Sequence, residues 1–102
     1  MPNMTREECK ACAGKGWSGL IDEIYDKLPK DAYIVQIKEK FGGLRAYIDN
    51  VPKSVQDFID DCEKRSYEIC ECCGADGKLR EGGWVLTLCD KCHAKRGVNN
   101  GI

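Results

Sequence analysis

At 102 residues and 11.4 kDa the chain has room for one domain and none for a dehydrogenase, a kinase or a barrel enzyme. Hydrophobic residues make up 42%, enough for a small core and too many for a disordered chain. Sixteen basic against 17 acidic residues give a formal net charge of −1, which excludes binding to nucleic acid through bulk electrostatics alone, and a single histidine excludes chemistry that needs two imidazoles.

Residues 1–16 read as a polar, cysteine-bearing leader. Its first ten residues, MPNMTREECK, hold no apolar run, so no signal peptide is expected. No stretch approaches the ~20 apolar residues of a membrane span. A cytoplasmic, reducing location follows as the expectation, and there repeated C-x-x-C reads as metal binding before disulfides. Six of the eight cysteines form such pairs: Cys9 with Cys12, Cys70 with Cys73, and Cys89 with Cys92. Cys62 and Cys72 remain.

Trp17, Leu20, Ile21, Ile24 and Leu28 recur on one helical face, with Ser18 as N-cap and Pro29 as the stop. Residues 32–51 hold two β-rich runs around Gly42-Gly43 and predict a hairpin with those glycines as its turn. Phe41 then pairs with Leu44, Glu39 with Ala46, and Ile37 with Ile48. Val35, Ile37, Phe41, Leu44, Ala46 and Ile48 form the core face, with Glu39 as its one polar member. Lys38, Lys40, Arg45 and Tyr47 form the outer face, Lys40 opposite Arg45 and Lys38 opposite Tyr47. A slip of one residue would exchange the faces. Residues 52–68 predict a second helix, with Ser54 to Asp57 as a capping box and Val55, Phe58, Ile59 and Cys62 on its buried side. The last residues, AKRGVNNGI, read as a polar tail that frays.

Cys70, Cys73, Cys89 and Cys92 make C-x₂-C-x₁₅-C-x₂-C, the spacing of a structural zinc site. Each C-x-x-C turn lets two thiolates reach one ion at about 2.3 Å while backbone amides face the sulfurs. Gly82-Gly83 and the run Trp84 to Leu88 predict a second hairpin between the pairs, with Cys92 at the start of a short helix. Four thiolates close the shell, so the ion is expected to be structural and not catalytic. The whole predicts an α+β fold: helix, β-hairpin, helix, then a zinc-ribbon or treble-clef hairpin. The leader 1–16, an α-β-β-α core over 17–68 and a zinc-binding hairpin with its tail over 69–102 form one compact domain.

Cys9-Lys-Ala-Cys12-Ala-Gly14-Lys-Gly16 resembles the C-x-x-C-x-G-x-G repeat in the cysteine-rich domain of J-protein chaperones. There two repeats share each zinc; here one copy is present. A second metal on Cys9 and Cys12 would draw its other ligands from Cys72 with Cys62 or His93. Leu88 to Lys95, LCDKCHAK, resembles the end of an HNH-type nuclease. That family uses a histidine base on the hairpin, and residues 74–88 contain none, which implies at most a catalytically dead relative. Gly16-Trp17, the stretch Lys38 to Arg45 (KEKFGGLR), Ser66 to Gly74 and Trp84 to Cys89 resemble a group of small uncharacterised phage and prophage proteins over residues 16–93. That resemblance implies an intracellular phage accessory protein that inhibits a host factor or antiviral defence.

The expected function is a non-enzymatic, zinc-stabilised binding module. Its partner is a host protein or a small anionic, nucleotide-like ligand held by Lys38, Lys40, Arg45 and Tyr47. The alternative is a nucleic-acid-binding zinc ribbon using Lys78, Arg80, Lys91, Lys95 and Arg96, and homo-oligomers stay open. A redox enzyme built on Cys9 and Cys12 lacks the expected βαβ setting.

Overall fold

The computed structural model describes residues 3–81 and 84–100, the last five of these by backbone alone. The leader is not simply polar chain: α1 (Arg6–Ala11) forms within it. The signal was a capping box at Thr5 and Glu8. The Thr5 hydroxyl accepts from the Glu8 amide at 3.1 Å while Glu8 Oε1 accepts from the Thr5 amide at 2.7 Å. Arg6 and Lys10 both reach Asp22 at 2.9 Å and hold its carboxyl below the usual range, Lys10 first. Cys9 is thereby pressed into the core.

A 3-10 turn (Lys15–Trp17) leads into α2 (Ser18–Lys27), so Trp17 and not Ser18 occupies the N-cap. The helix ends where Pro29 requires, with Leu28 extended. Its buried face is Leu20, Ile21 and Ile24, as the spacing predicts.

β1 (Tyr33–Lys40) and β2 (Gly43–Asp49) form an antiparallel hairpin. The turn is Phe41-Gly42 and not Gly42-Gly43, with φ of 52° and 81°. A two-residue loop of this type needs positive φ at both central residues. The turn moves back by one residue and each pairing therefore by two, which keeps the faces: Lys40 faces Gly43, Glu39 faces Leu44, Lys38 faces Arg45 and Ile37 faces Ala46. Phe41 leaves the expected core face and is 69% exposed. A bulge between Ile34 and Gln36 then exchanges Val35 for Ile34 as the buried residue. Ile37, Leu44, Ala46 and Ile48 stay inside, because the slip moved pairings and left these residues on their face.

Both free edges of the hairpin are satisfied by side chains over part of their length, which blunts them against edge-to-edge pairing. The Asn3 amide accepts from the Ile34 N–H at 2.7 Å and donates to the Ile34 carbonyl at 3.0 Å, like one rung of a third strand. On β2, the Leu44 amide donates to Ser66 Oγ and the Ala46 amide to Glu63 Oε2, at 2.9 and 2.8 Å. Those acceptors lie on α3 (Lys53–Ser66). Pro52 is the N-cap of α3, so Ser54 and Asp57 form no capping box; Asp57 instead pairs with Lys53 at 3.1 Å. Burial pushes the Glu63 carboxyl up, and the Ala46 amide opposes this in part.

Ile59 and Cys62 of α3 meet Trp17, Leu20, Ile21 and Ile24 of the N-terminal half and Ile34, Ile37, Leu44 and Ile48 of the hairpin in one core. Trp17 is fully buried, and its indole N–H is shared between the Ser66 and Ile69 carbonyls at 3.2 and 2.9 Å. That bond ties the start of α2 to the end of α3, which leads into the cysteine segment.

The segment holds β3 (Lys78–Arg80) and β4 (Leu86–Leu88), paired antiparallel, and α4 (Asp90–Asn100). The expected Gly82-Gly83 turn lies outside the described residues. The polar tail is helical backbone as far as Asn100. Two contacts seat this unit on the first. The Gly16 amide donates to the Glu71 carbonyl at 2.8 Å, and Thr87 Oγ1 donates to the Gly42 carbonyl at 2.6 Å. A Cβ on Gly16 would overlap the Cys70 carbonyl oxygen and the Gly74 amide, whereas Gly19 in α2 faces open space. Gly16→Ala is expected to destabilise the fold by about 1–3 kcal/mol through overpacking. Gly19→Ala is expected to stabilise it by about 0.5–1 kcal/mol through helix propensity. Chemical denaturation of the two variants checks the opposite signs.

Candidate functional site

Cys70 and Cys73 flank a tight turn closed by the Gly74 amide donating to the Cys70 carbonyl at 2.9 Å. Gly74 sits at φ 85°, a conformation that glycine adopts without steric cost. The Cys70 amide in turn donates to the Ala75 carbonyl at 2.7 Å, which fixes the knuckle against the bridge between Ile69 and Asp76. Cys89 follows β4 directly, and Cys92 lies in the first turn of α4. The Glu71 amide donates to the Thr87 carbonyl at 2.9 Å, and the Thr87 amide donates to Glu71 Oε2 at 3.1 Å. These bonds bring the knuckle alongside β4 and so bring the two distant cysteine pairs together.

The four sulfurs lie within 4.8 Å of one another, and Cys73 Sγ and Cys89 Sγ are 3.6 Å apart. A tetrahedron with metal–sulfur bonds of about 2.3 Å has sulfur–sulfur edges of about 3.8 Å. The geometry therefore suits one metal ion. Cys70 is fully buried, Cys89 is buried, Cys92 is half-buried and Cys73 reaches solvent. Burial raises the Cys70 thiol, but the amides of Cys89, Cys73 and Cys72 turned toward its sulfur outweigh this and hold it at about 6. The Cys92 amide, 3.4 Å from Cys89 Sγ, lowers the Cys89 thiol. Cys92 is pushed strongly upward by the sulfurs of Cys89 and Cys70. Four sulfurs this close cannot all ionise without a cation among them, and a divalent ion removes that conflict.

The cores of the two halves differ in the same sense. Beyond residue 69 the buried hydrophobic cluster is Cys70, Leu88 and Cys89, with Leu86 and Cys92 packed against it. Three of these five residues are thiols of the cluster, so apolar burial alone gives this half little to fold around.

The other sequence candidates are placed apart. Among the described residues the four-sulfur cluster is the one group of metal-ligating side chains found. Cys9 is buried in the main core, and Cys12 Sγ donates to the Glu8 carbonyl at 3.3 Å. Cys72 is exposed within the knuckle but outside the four-sulfur group, His93 is exposed on α4, and Cys62 is buried in α3. These five are not brought to one point. Burial raises the Cys9 thiol and pushes Cys62 up to about 11, the reverse of an activated nucleophile. Gly14 and Gly16 of the leader motif have a packing role instead, since side chains there would strike the backbone of residues 70–74.

The hairpin residues do share one surface. Lys38 and Arg45 are half-buried, directly opposed, and flanked by exposed Lys40 and Tyr47. Arg45 Nη2 donates to the Tyr67 hydroxyl at 3.2 Å. At the hairpin tip, Glu39, Lys40, Phe41, Trp84 and Val85 line a cleft of about 320 Å³. Sequence reasoning missed this cleft because it placed Phe41 in the core.

No helix of the described residues is long and apolar enough to cross a membrane. No family model, curated protein or solved structure matches the chain. Replacing Cys70 or Cys92 by Ser is expected to abolish the cooperative unfolding of the cysteine-bearing half, given the ~10–16 kcal/mol that a structural zinc contributes. Cys72→Ser, outside the cluster, is expected to shift stability by under about 0.5 kcal/mol. Thermal melts with and without chelator compare the three, and equal losses would contradict the assignment of ligands.

Proposed function

We propose that the chain is a non-enzymatic, zinc-stabilised module that binds an anionic ligand on the outer face of its first hairpin. Zinc is the metal best suited to four thiolates at tetrahedral spacing, and a closed shell leaves it no catalytic position. Knuckle, hairpin and a helix whose start carries the second pair, Cys89 just before it and Cys92 in its first turn, resemble a treble clef more than a ribbon, whose second pair would sit in another knuckle.

The observation that carries the reading is the pairing of Lys38 with Arg45, with Lys40 one step along the same face. Like charges directly opposed on a sheet cost roughly 0.2–1 kcal/mol. None of the three has a carboxylate within ion-pair distance among the described residues. An anion seated between them would relieve the repulsion through charge-assisted hydrogen bonds. The nucleic-acid reading is less well supplied. Arg80 is committed to Asp90 at 2.8 Å and to the Leu88 carbonyl at 3.2 Å. The resemblance of the hairpin stretch to phage proteins adds a setting in which the ligand belongs to a host or its defence.

Calorimetric titration with pyrophosphate tests the face. The double reversal Lys38→Glu/Arg45→Glu is expected to lose at least about tenfold in affinity, one factor of ten being about 1.4 kcal/mol, with its metal retained. Undiminished binding by that variant would refute the site. Affinity for random duplex DNA at physiological salt would favour the nucleic-acid alternative.

A further inference from the structure

The cleft at the hairpin tip is lined by two large aromatic side chains that the fold leaves exposed. Phe41 is the first central residue of the turn, at φ 52°. Asn, Asp and Gly adopt that conformation most readily, and a bulky residue there is an outlier. Its ring gains no burial in return, since Phe41 is 69% exposed. Trp84, across the cleft, is 70% exposed. These are the two most exposed large apolar side chains of the described residues. Strained backbone that presents an aromatic ring to solvent is a feature of binding sites.

The walls are held by the cysteine-bearing half. Thr87 Oγ1 donates to the Gly42 carbonyl at 2.6 Å, and a Cβ on Gly42 would come within 2.6 Å of Leu79 Cδ1. The hairpin tip is thus seated on β3 and β4, and its backbone at Phe41-Gly42 cannot lift away without breaking that seat. Lys40 Nζ stands 5.8 Å from the Phe41 ring centroid, which places a cation at the mouth of the cleft. Glu39 Oε2 accepts from the Gly42 amide at 2.7 Å, and no described residue donates to its other oxygen.

We propose that this cleft takes the base of a nucleotide, stacked against Phe41 and Trp84, with the phosphates on Lys40 and the Lys38–Arg45 pair beyond it. The inference rests on the reading of the hairpin face as an anion site and gives that anion a planar, aromatic part. A cleft of about 320 Å³ is at the small end of ligand sites, enough for one base and not for a folded partner. Aromatic stacking contributes about tenfold to a hundredfold per base and tolerates any base. The remaining Glu39 oxygen favours a base that carries an exocyclic amine, so adenine and cytosine should bind better than uracil.

The experiment uses the two tryptophans. Trp17 is fully buried, so ligand-dependent quenching of indole fluorescence reports Trp84. Metal-loaded protein is titrated with ADP, CDP, UDP, adenosine, pyrophosphate and a short oligo(dA). ADP is expected to quench Trp84 and to bind at least about tenfold more tightly than pyrophosphate, with UDP weaker than ADP. Phe41→Asn is expected to reduce ADP affinity to that of pyrophosphate while its melting temperature holds or rises, because asparagine suits the turn. Pyrophosphate binding without any advantage for ADP overturns the nucleotide and leaves the anion site standing. Loss of both ligands removes both. Binding of oligo(dA) tenfold tighter than ADP overturns the free nucleotide in favour of single-stranded nucleic acid.

Discussion

Four sulfurs meeting at one point hold the C-terminal third of this protein together. Cys70 and Cys73 come from a knuckle, and Cys89 and Cys92 from the end of β4 and the first turn of α4. Around them Leu86 and Leu88 are the apolar residues packed into the cluster. Ionised together and without a cation, these thiols would repel one another. With a divalent ion the same arrangement becomes the strongest link in the segment. The amides aimed at Cys70 and Cys89 prepare the sulfurs for the charged state that a metal requires.

The rest of the molecule is arranged so that this centre positions a surface. The backbone after Gly14 lies against the knuckle, Trp17 bonds to the carbonyls that lead into it, and Thr87 holds the tip of the first hairpin. Disturbing the sulfurs would therefore be felt at Phe41 and Lys40, although neither touches a thiol. The main core keeps the hairpin itself in place, with Ser66 and Glu63 occupying the free edge of β2. Rigidity from the core and seating from the cysteine-bearing half converge on one hairpin tip.

Much of this could be read from the residues. Spacing located the four cysteines whose sulfurs cluster, and helical periodicity located α2 and the buried side of α3, with Cys62 inside it. The hairpin was legible but its turn was not. Two adjacent glycines drew the turn to themselves, while the chain used the Phe41-Gly42 step and kept Gly43 for close packing against the Tyr67 ring. The one-residue shift sent Phe41 to the surface and opened the cleft with it. A bulge, visible in no local pattern, then exchanged Val35 for Ile34. The helix α1 was missed although Thr5 and Glu8 announced it, because cysteine spacing dominated the reading of the leader. Glycines 14 and 16 carried a ligand-like motif whose role proved to be close approach to the knuckle.

Native mass spectrometry of freshly purified, full-length protein tests the central claim most directly. The account predicts one tightly held zinc per chain, lost together with cooperative folding when the four cluster thiols are alkylated under denaturing conditions. Folded protein that carries no metal, or a metal whose loss leaves the first hairpin and its tip unchanged, would contradict it.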